Sequence, residues 1–313
     1  MDTMEHPPPN ESPMKLNVPW SARKEDIQFN DVFFGHFFPS LCGKAKLMDE
    51  FYSDPRCGMS TTIANDKIKF ERTGEDPDVL LKICVTLMIA AANEIHSGIA
   101  SLWKQGRGYG FRDYPNFAQY LPRNYFKAFV HAFPLMWADR QYWYMSRNDL
   151  PWDMFQPFLN EYNLLRGKMT DVYYCVLDES MSGWRPKTTP TGGLPNITFE
   201  PRKPVNLGTM IKNGCECITG MMVHHDIVMG SVHQGAKKYN DETSHLPRGE
   251  QILGHVAEVL RQAEGANVQK GGWIGGDAWF GSVNAAVELK CRLGINSTFI
   301  IKQNKNYCPV DVV

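Results

Sequence analysis

The sequence has almost no net charge: 33 Lys and Arg stand against 34 Asp and Glu in 313 residues, a formal −1. That excludes a binder working by bulk positive charge, but not a nucleic-acid surface, because a local patch counts for more than the sum. Long apolar runs are missing too. The longest uncharged one, Ile83 to Asn93, lies between Lys82 and Glu94 and is far short of the ~20 residues of a spanning helix. No basic segment leads into an apolar one near Met1, where the text is acidic and proline-rich, so no secretory signal is visible. The eight cysteines (42, 57, 84, 175, 215, 217, 291, 308) are scattered. They fit reduced thiols of cytosol or nucleus better than a disulfide framework. Internal repeats are absent as well.

What is present is uneven along the chain. Residues 1–100 hold 10 basic and 15 acidic side chains, leaving 23 and 19 for residues 101–313. Residues 1–28, with three consecutive prolines, read as a disordered leader. From Phe29 to about residue 168 the text is helical. Asp76 as cap and Pro77 in the first turn start a helix through about Glu94, with Val79, Ile83, Leu87 and Ala91 spaced by fours and Leu80, Cys84 and Met88 beside them. Further helices are expected over 122–133 and 151–165, where Pro157 must keep to the first turns.

After Arg166-Gly167 the period becomes strand-like. Val172 to Leu177 reads as a strand ending on Asp178-Glu179, and 209–224 as two strands turning at Asn213-Gly214. An amphipathic helix over 248–264, a strand stopping at Asp277, a helix capped by Ser282 and a strand over 297–302 follow. The order predicts α + α/β: a helical domain (29–168), then a mixed-sheet α/β domain (169–313).

Two acids, Asp178 and Asp277, fall at predicted strand ends, where ligands collect in α/β folds. Carboxylates brought together from distant positions hold the divalent cations of phosphoryl transfer. For a lone Asp, a turn or a cap is the simpler explanation.

In 101–127, Lys104, Arg107, Arg112, Arg123 and Lys127 alternate with Trp103, Tyr109, Phe111, Tyr114, Phe117 and Tyr120. The pattern suits phosphates and stacked bases, or equally a solvated face over an aromatic core. Cys215 and Cys217, with His224, His225 and His233 nearby, make zinc conceivable; against it, the spacing matches no common zinc module. Of His224 and His225, adjacent on a strand, at most one can join a site.

The surrounding words resemble the piggyBac transposase family. Leu177-Asp178-Glu179-Ser180-Met181 with Trp184-Arg185 resembles its first-aspartate strand, and Lys203-Pro204 to Gly208 its segment leading into a hairpin. Gly276-Asp277-Ala278-Trp279-Phe280-Gly281-Ser282 resembles the second-aspartate motif, although Ala278 stands where Asn is usual. Ile300 to Pro309 and Leu121 to Phe126 resemble a following basic turn and an upstream helix. The resemblance spans roughly 29–313 in order. It implies a helical dimerisation and DNA-binding domain followed by an RNase H-like catalytic domain. It also implies Mg²⁺ or Mn²⁺ held by three aspartates, Asp178 and Asp277 matching the first two, with Glu179 as a supporting neighbour. The implied partner is double-stranded DNA, cut and pasted at TTAA-type targets in the nucleus, with a homodimer as the working form. Arg185, Arg202, Lys203, Lys302 and Lys305 join the basic residues above as DNA candidates.

In that family the third aspartate lies well downstream of the basic turn. Here Val313 comes eight residues after Lys305, and Asp311 sits too close to the strand to take that place. The sheet domain is therefore expected to be incomplete, and the chain a remnant or fragment without catalysis. A domesticated DNA-binding or protein-interaction module is the alternative, and a hydrolase built on His224–His233 a third.

Overall fold

The computed structural model describes residues 44–54, 77–93, 99–104, 116–145, 152–183, 197–229, 242–246 and 250–301. The chain forms two compact units that divide between Phe158 and Leu159.

In the first unit, α1 (Lys44–Ser53), α2 (Pro77–Asn93) and α3 (Arg123–Ala132) are joined to short 3-10 turns. Leu80, Cys84, Leu87 and Ala91 of α2 are buried, as are Leu81 and Val85, whereas Val79 is 43% exposed. The buried stripe thus starts one residue later than the fours-spacing suggested, because a 3.6-residue period drifts away from a strict repeat of four.

Aromatics fill the space between these helices. Trp103 meets Phe117 edge-on at 5.2 Å and Phe126 at 4.9 Å, and Phe129–Phe133–Trp137 continue the chain at 5.1 and 4.8 Å. Two indole N–H groups find carbonyls: half-buried Trp103 Nε1 donates to Leu121 at 2.7 Å and buried Trp143 Nε1 to Leu135 at 3.1 Å. Pro122 sits at the N-cap of α3 with extended backbone.

The helix α4 (Gln156–Met169) carries Pro157 in its first turn, where the missing N–H costs nothing. The second unit is a six-stranded mixed sheet: β1 (Val172–Gly183), β2 (Thr198–Phe199), β3 (Leu207–Glu216), β4 (Met222–Ile227), β5 (Val268–Gly276) and β6 (Asn296–Phe299), with α5 (Glu250–Gly265) and α6 (Val283–Glu288). The strand order is β2-β3-β1-β5-β6, and β4 also pairs β3. β1, β3 and β4 are antiparallel neighbours, while β5 runs parallel to β1 and β6 to β5. Val256, Val259, Leu260 and Ala263 of α5 pack with Cys175, Leu177, Ile274 and Phe280 in one core.

Asn213-Gly214 is not the hairpin turn. β3 runs straight through it, with Asn213 opposite Asp178 and His225. Gly214 is there for closeness: a Cβ would lie 3.1 Å from Ala266 Cβ and 3.4 Å from Cys175 Sγ. The turn falls at Cys217–Gly220 instead. Gly220 supplies the positive φ of 69°, and the Glu216 carboxylate accepts from the N–H groups of Ile218 and Thr219 at 3.0 and 2.6 Å.

Candidate functional site

The parallel pairing of β1 with β5 ends at Leu177↔Gly276. The next residue on each strand is Asp178 and Asp277, so the sheet sets two acids from distant sequence positions at one place. β1 itself does not stop at Asp178, as its text suggested. It runs on to Gly183 because β3 keeps pairing it, Asp178↔Asn213 through Gly183↔Gly208. Asp277, by contrast, leaves the sheet. Its Oδ1 accepts from Trp279 N at 2.8 Å and its carbonyl from Phe280 and Gly281, a turn that delivers Ser282, whose Oγ caps α6 on Ala285 N at 3.0 Å.

Where β5 departs, β1 is left with one-sided backbone groups. The Tyr174 carbonyl accepts from Cys217 N on the β3 side, so by alternation the groups of Glu179 face the side that β5 has left. Both are satisfied by side chains. Glu179 N donates to Asp178 Oδ1 at 2.7 Å, and Lys203 Nζ donates to the Glu179 carbonyl at 2.7 Å. The same ammonium lies 3.9 Å from Asp178 Oδ1 and 3.7 Å from Glu179 Oε2. The Asp178 side chain is 70% exposed and that of Glu179 only 8%. Burial, then the nearby Asp277 charge, raises the Glu179 carboxyl above its usual range, against the opposing pull of Lys203.

Behind these acids lies a buried ionic cluster that the sequence reading did not anticipate. Lys212, opposite Glu179 on β3, donates to Glu258 Oε1 at 2.9 Å with both side chains nearly buried, and its Nζ stands 4.5 Å over the Trp279 ring. Arg261 pairs with both Glu258 and Asp226, and Gln262 Nε2 reaches Glu258 Oε1 at 2.8 Å. Glu258 and Gln262, four apart within the apolar face of α5, are the trace this leaves in the sequence. Their partners on β3 and β4 leave none.

Among the histidines, His224 is buried, and neither of its ring nitrogens has a hydrogen-bond partner. Burial, followed by the Arg261 charge, pushes its pKa down to about 4. His225 points the other way: its Nδ1 is 2.7 Å from Asn213 Oδ1 and its ring lies 5.1 Å from Tyr162. Cys217 lies in the turn beyond β3, so it does not share a strand face with Cys215. Burial raises all three neighbouring thiols, Cys175 to about 12. His233 lies outside the described residues. Among the described residues no group of three or more His, Cys, Asp and Glu side chains is placed to hold a metal ion.

Of the basic candidates, Lys104, Arg123, Lys127 and Arg202 are exposed, while Arg107, Arg112, Arg185, Lys302 and Lys305 lie outside the described residues. Trp103 and Phe117 are committed to the helical core, which leaves Tyr120, 66% exposed, as the described aromatic of that stretch on the surface. Lys203 is turned toward the acids.

Asp178 and Asp277 offer hard, water-accessible oxygens, the donor chemistry of Mg²⁺ or Mn²⁺. Two carboxylates suit one loosely held cation and fall short of a three-acid, two-metal arrangement.

A sequence comparison with characterised proteins returns no match. Among solved structures, the chain is similar to the piggyBac transposase in its synaptic complex with hairpin DNA, determined by cryo-electron microscopy. The TM-score is 0.50 at 15% identity, over 88% of this chain and 51% of that one. The chain thus spans about half the length of that transposase, and the likeness is one of fold. Residues 81–313 match the family described as Transposase IS4. With nearly three quarters of its length in that match and a piggyBac-type fold around the paired strand ends, the chain belongs to the Transposase IS4 family.

Proposed function

We propose that this chain carries part of the catalytic apparatus of a cut-and-paste DNA transposase, with Asp178 and Asp277 as two of its cation-binding carboxylates. The observation behind this reading is the parallel pair Leu177↔Gly276, after which both strands present an Asp. Asp178 and Asp277 would hold Mg²⁺ or Mn²⁺, which when bound supplies charge stabilisation to phosphoryl transfer. The chain's own part is positioning. The β1–β3 ladder fixes Asp178, and the Asp277–Trp279 turn fixes Asp277. Double-stranded DNA is the partner, met through exposed Arg123, Lys127, Lys104 and Arg202. Recognition of TTAA-type targets, a homodimer and a nuclear location belong to the same reading.

Among the described residues no third acid is placed with Asp178 and Asp277 to hold a metal ion, and two acids do not fix the geometry of two cations, so weak metal binding and no DNA cleavage are the expected outcomes. Titration of the full chain with Mn²⁺ tests the site: weak binding is expected, abolished in Asp178→Asn and in Asp277→Asn. Binding unchanged in both variants would remove the site. Strand cleavage of a transposon-end duplex by this chain in Mn²⁺ would refute the loss of catalysis.

The exposed basic face of α3 favours a second reading, DNA binding that needs no metal. Salt-sensitive duplex binding that persists in EDTA and in the Asp178→Asn, Asp277→Asn double variant separates it from the first.

A further inference from the structure

Arg202 and Lys203 are adjacent in the segment between β2 and β3, yet they do different things. Arg202 is exposed, whereas Lys203 is two-thirds buried, its ammonium donating to the Glu179 carbonyl and lying within 4 Å of two carboxylates. The backbone of this segment is fixed at both ends. Glu200 N donates to the Asn206 carbonyl at 2.8 Å and Lys203 N to that of Glu200 at 3.1 Å. Beyond the turn, β3 is pressed so close to β1 that a Cβ on Gly208 would lie 2.1 Å from the Ser182 carbonyl oxygen. The lysine is therefore presented to β1 by a rigid turn, at the point where β5 has left and the acids begin.

We propose that Lys203 is the resident counter-ion of Asp178 and Glu179, a positioning residue that surrenders Asp178 when a divalent cation enters. This rests on the cation-binding reading given above. Three features carry it. The ammonium replaces the missing β5 partner of the Glu179 carbonyl, so it holds the unpaired part of β1 in line. It also offsets two neighbouring carboxylates that would repel each other without it. And its longest contact, 3.9 Å, is the one to Asp178, the most exposed of the three acceptors and the one a cation would claim. Two positive charges cannot share one carboxylate oxygen without mutual repulsion, so cation entry and the Lys203–Asp178 contact exclude each other. The hydrogen bond to the Glu179 carbonyl need not break. Lys203 would thus keep the strand in register while releasing the acid.

The test uses the full chain and Mn²⁺ alone, measured by calorimetry in wild type, Lys203→Met, Lys203→Arg and Asp178→Asn. Removing the competing charge is expected to tighten Mn²⁺ binding about tenfold in Lys203→Met, with Lys203→Arg returning to the wild-type value. A merely structural lysine would instead lower the melting temperature and leave Mn²⁺ affinity unchanged or weaker, and that result overturns the proposal. Should Lys203→Met not fold, amine labelling of the wild-type chain decides. Modification of Lys203, read by mass spectrometry, is expected to rise with Mn²⁺ while that of exposed Lys127 stays constant; equal labelling with and without Mn²⁺ overturns it. If neither wild type nor Lys203→Met takes up Mn²⁺, the cation-binding reading falls and this one with it. If both bind equally, only the counter-ion role is lost.

Discussion

Gly265, the last residue of α5, lies directly against the imidazole of His224 on β4: a Cβ built on it would stand 2.3 Å from Cε1 and 2.6 Å from Nε2. The helix can approach the strand this closely only because that side chain is missing. Gly265→Ala is expected to cost about 2 kcal/mol of stability through overpacking. Combining it with His224→Ala should return part of that loss, since the second change removes the clashing ring. Urea denaturation of the two single variants and the double variant measures the coupling; strict additivity would mean the contact does not matter.

The same ring makes stability depend on pH. In the folded chain His224 stays neutral down to about pH 4, against an ordinary value of 6.5 in the unfolded chain. A lowered folded pKa for a base means the unfolded state takes up protons first as the pH drops. Stability is therefore complete above about 6.5 and declines as the pH falls toward 4, by up to roughly 3 kcal/mol. Arg261 and His225 on neighbouring positions oppose the imidazolium, while Asp226 and Glu258 favour it. His224→Leu should flatten this slope in a series of urea midpoints from pH 7.5 to 4.5.

Glu258 receives Lys212, Arg261 and Gln262 together. Glu258→Leu would take from the nearly buried Lys212 ammonium the carboxylate that stands 2.9 Å away and is expected to cost about 3–5 kcal/mol. Lys212→Met should cost less, because Glu258 keeps its Arg261 and Gln262 partners. Thermal melts of the two variants rank them, and the reverse order would contradict this account of the cluster.

Arg123 and Lys127 lie four apart on the exposed face of α3, next to exposed Tyr120. Changing both to Glu should leave stability within about 0.5 kcal/mol. Duplex DNA binding should weaken, with the slope of log K against log salt falling by about two. An unchanged slope in fluorescence anisotropy titrations would exclude this face from the DNA contact.

Much of the fold is readable in local pattern. Pro77 and Pro122 start helices, Ser282 caps one, and the short β-rich run Val172–Leu177 marks a strand, because these signals act within a turn or two of the chain. The mixed helix-and-sheet fold class followed from the order of those elements. The ends of elements were less legible. Nothing local tells β1 to continue past Asp178, since the partner that holds it there, β3, lies some 30 residues on. Asn213-Gly214 carries a turn signature, yet Gly214 serves helix–strand closeness, a demand made by Ala266 on a distant segment.

The sequence by itself determined that a strand leads into each of Asp178 and Asp277 and that basic residues gather in 101–127. Only the tertiary structure decided that the two aspartates follow the same parallel pair, that Lys203 faces Asp178 and Glu179 while Arg202 stands exposed, and that Trp103 and Phe117 are core. The reason is physical. Periodicity and capping are set by neighbours in the chain, whereas which charge meets which, and which ring is buried, depends on strand pairing that joins residues a hundred positions apart.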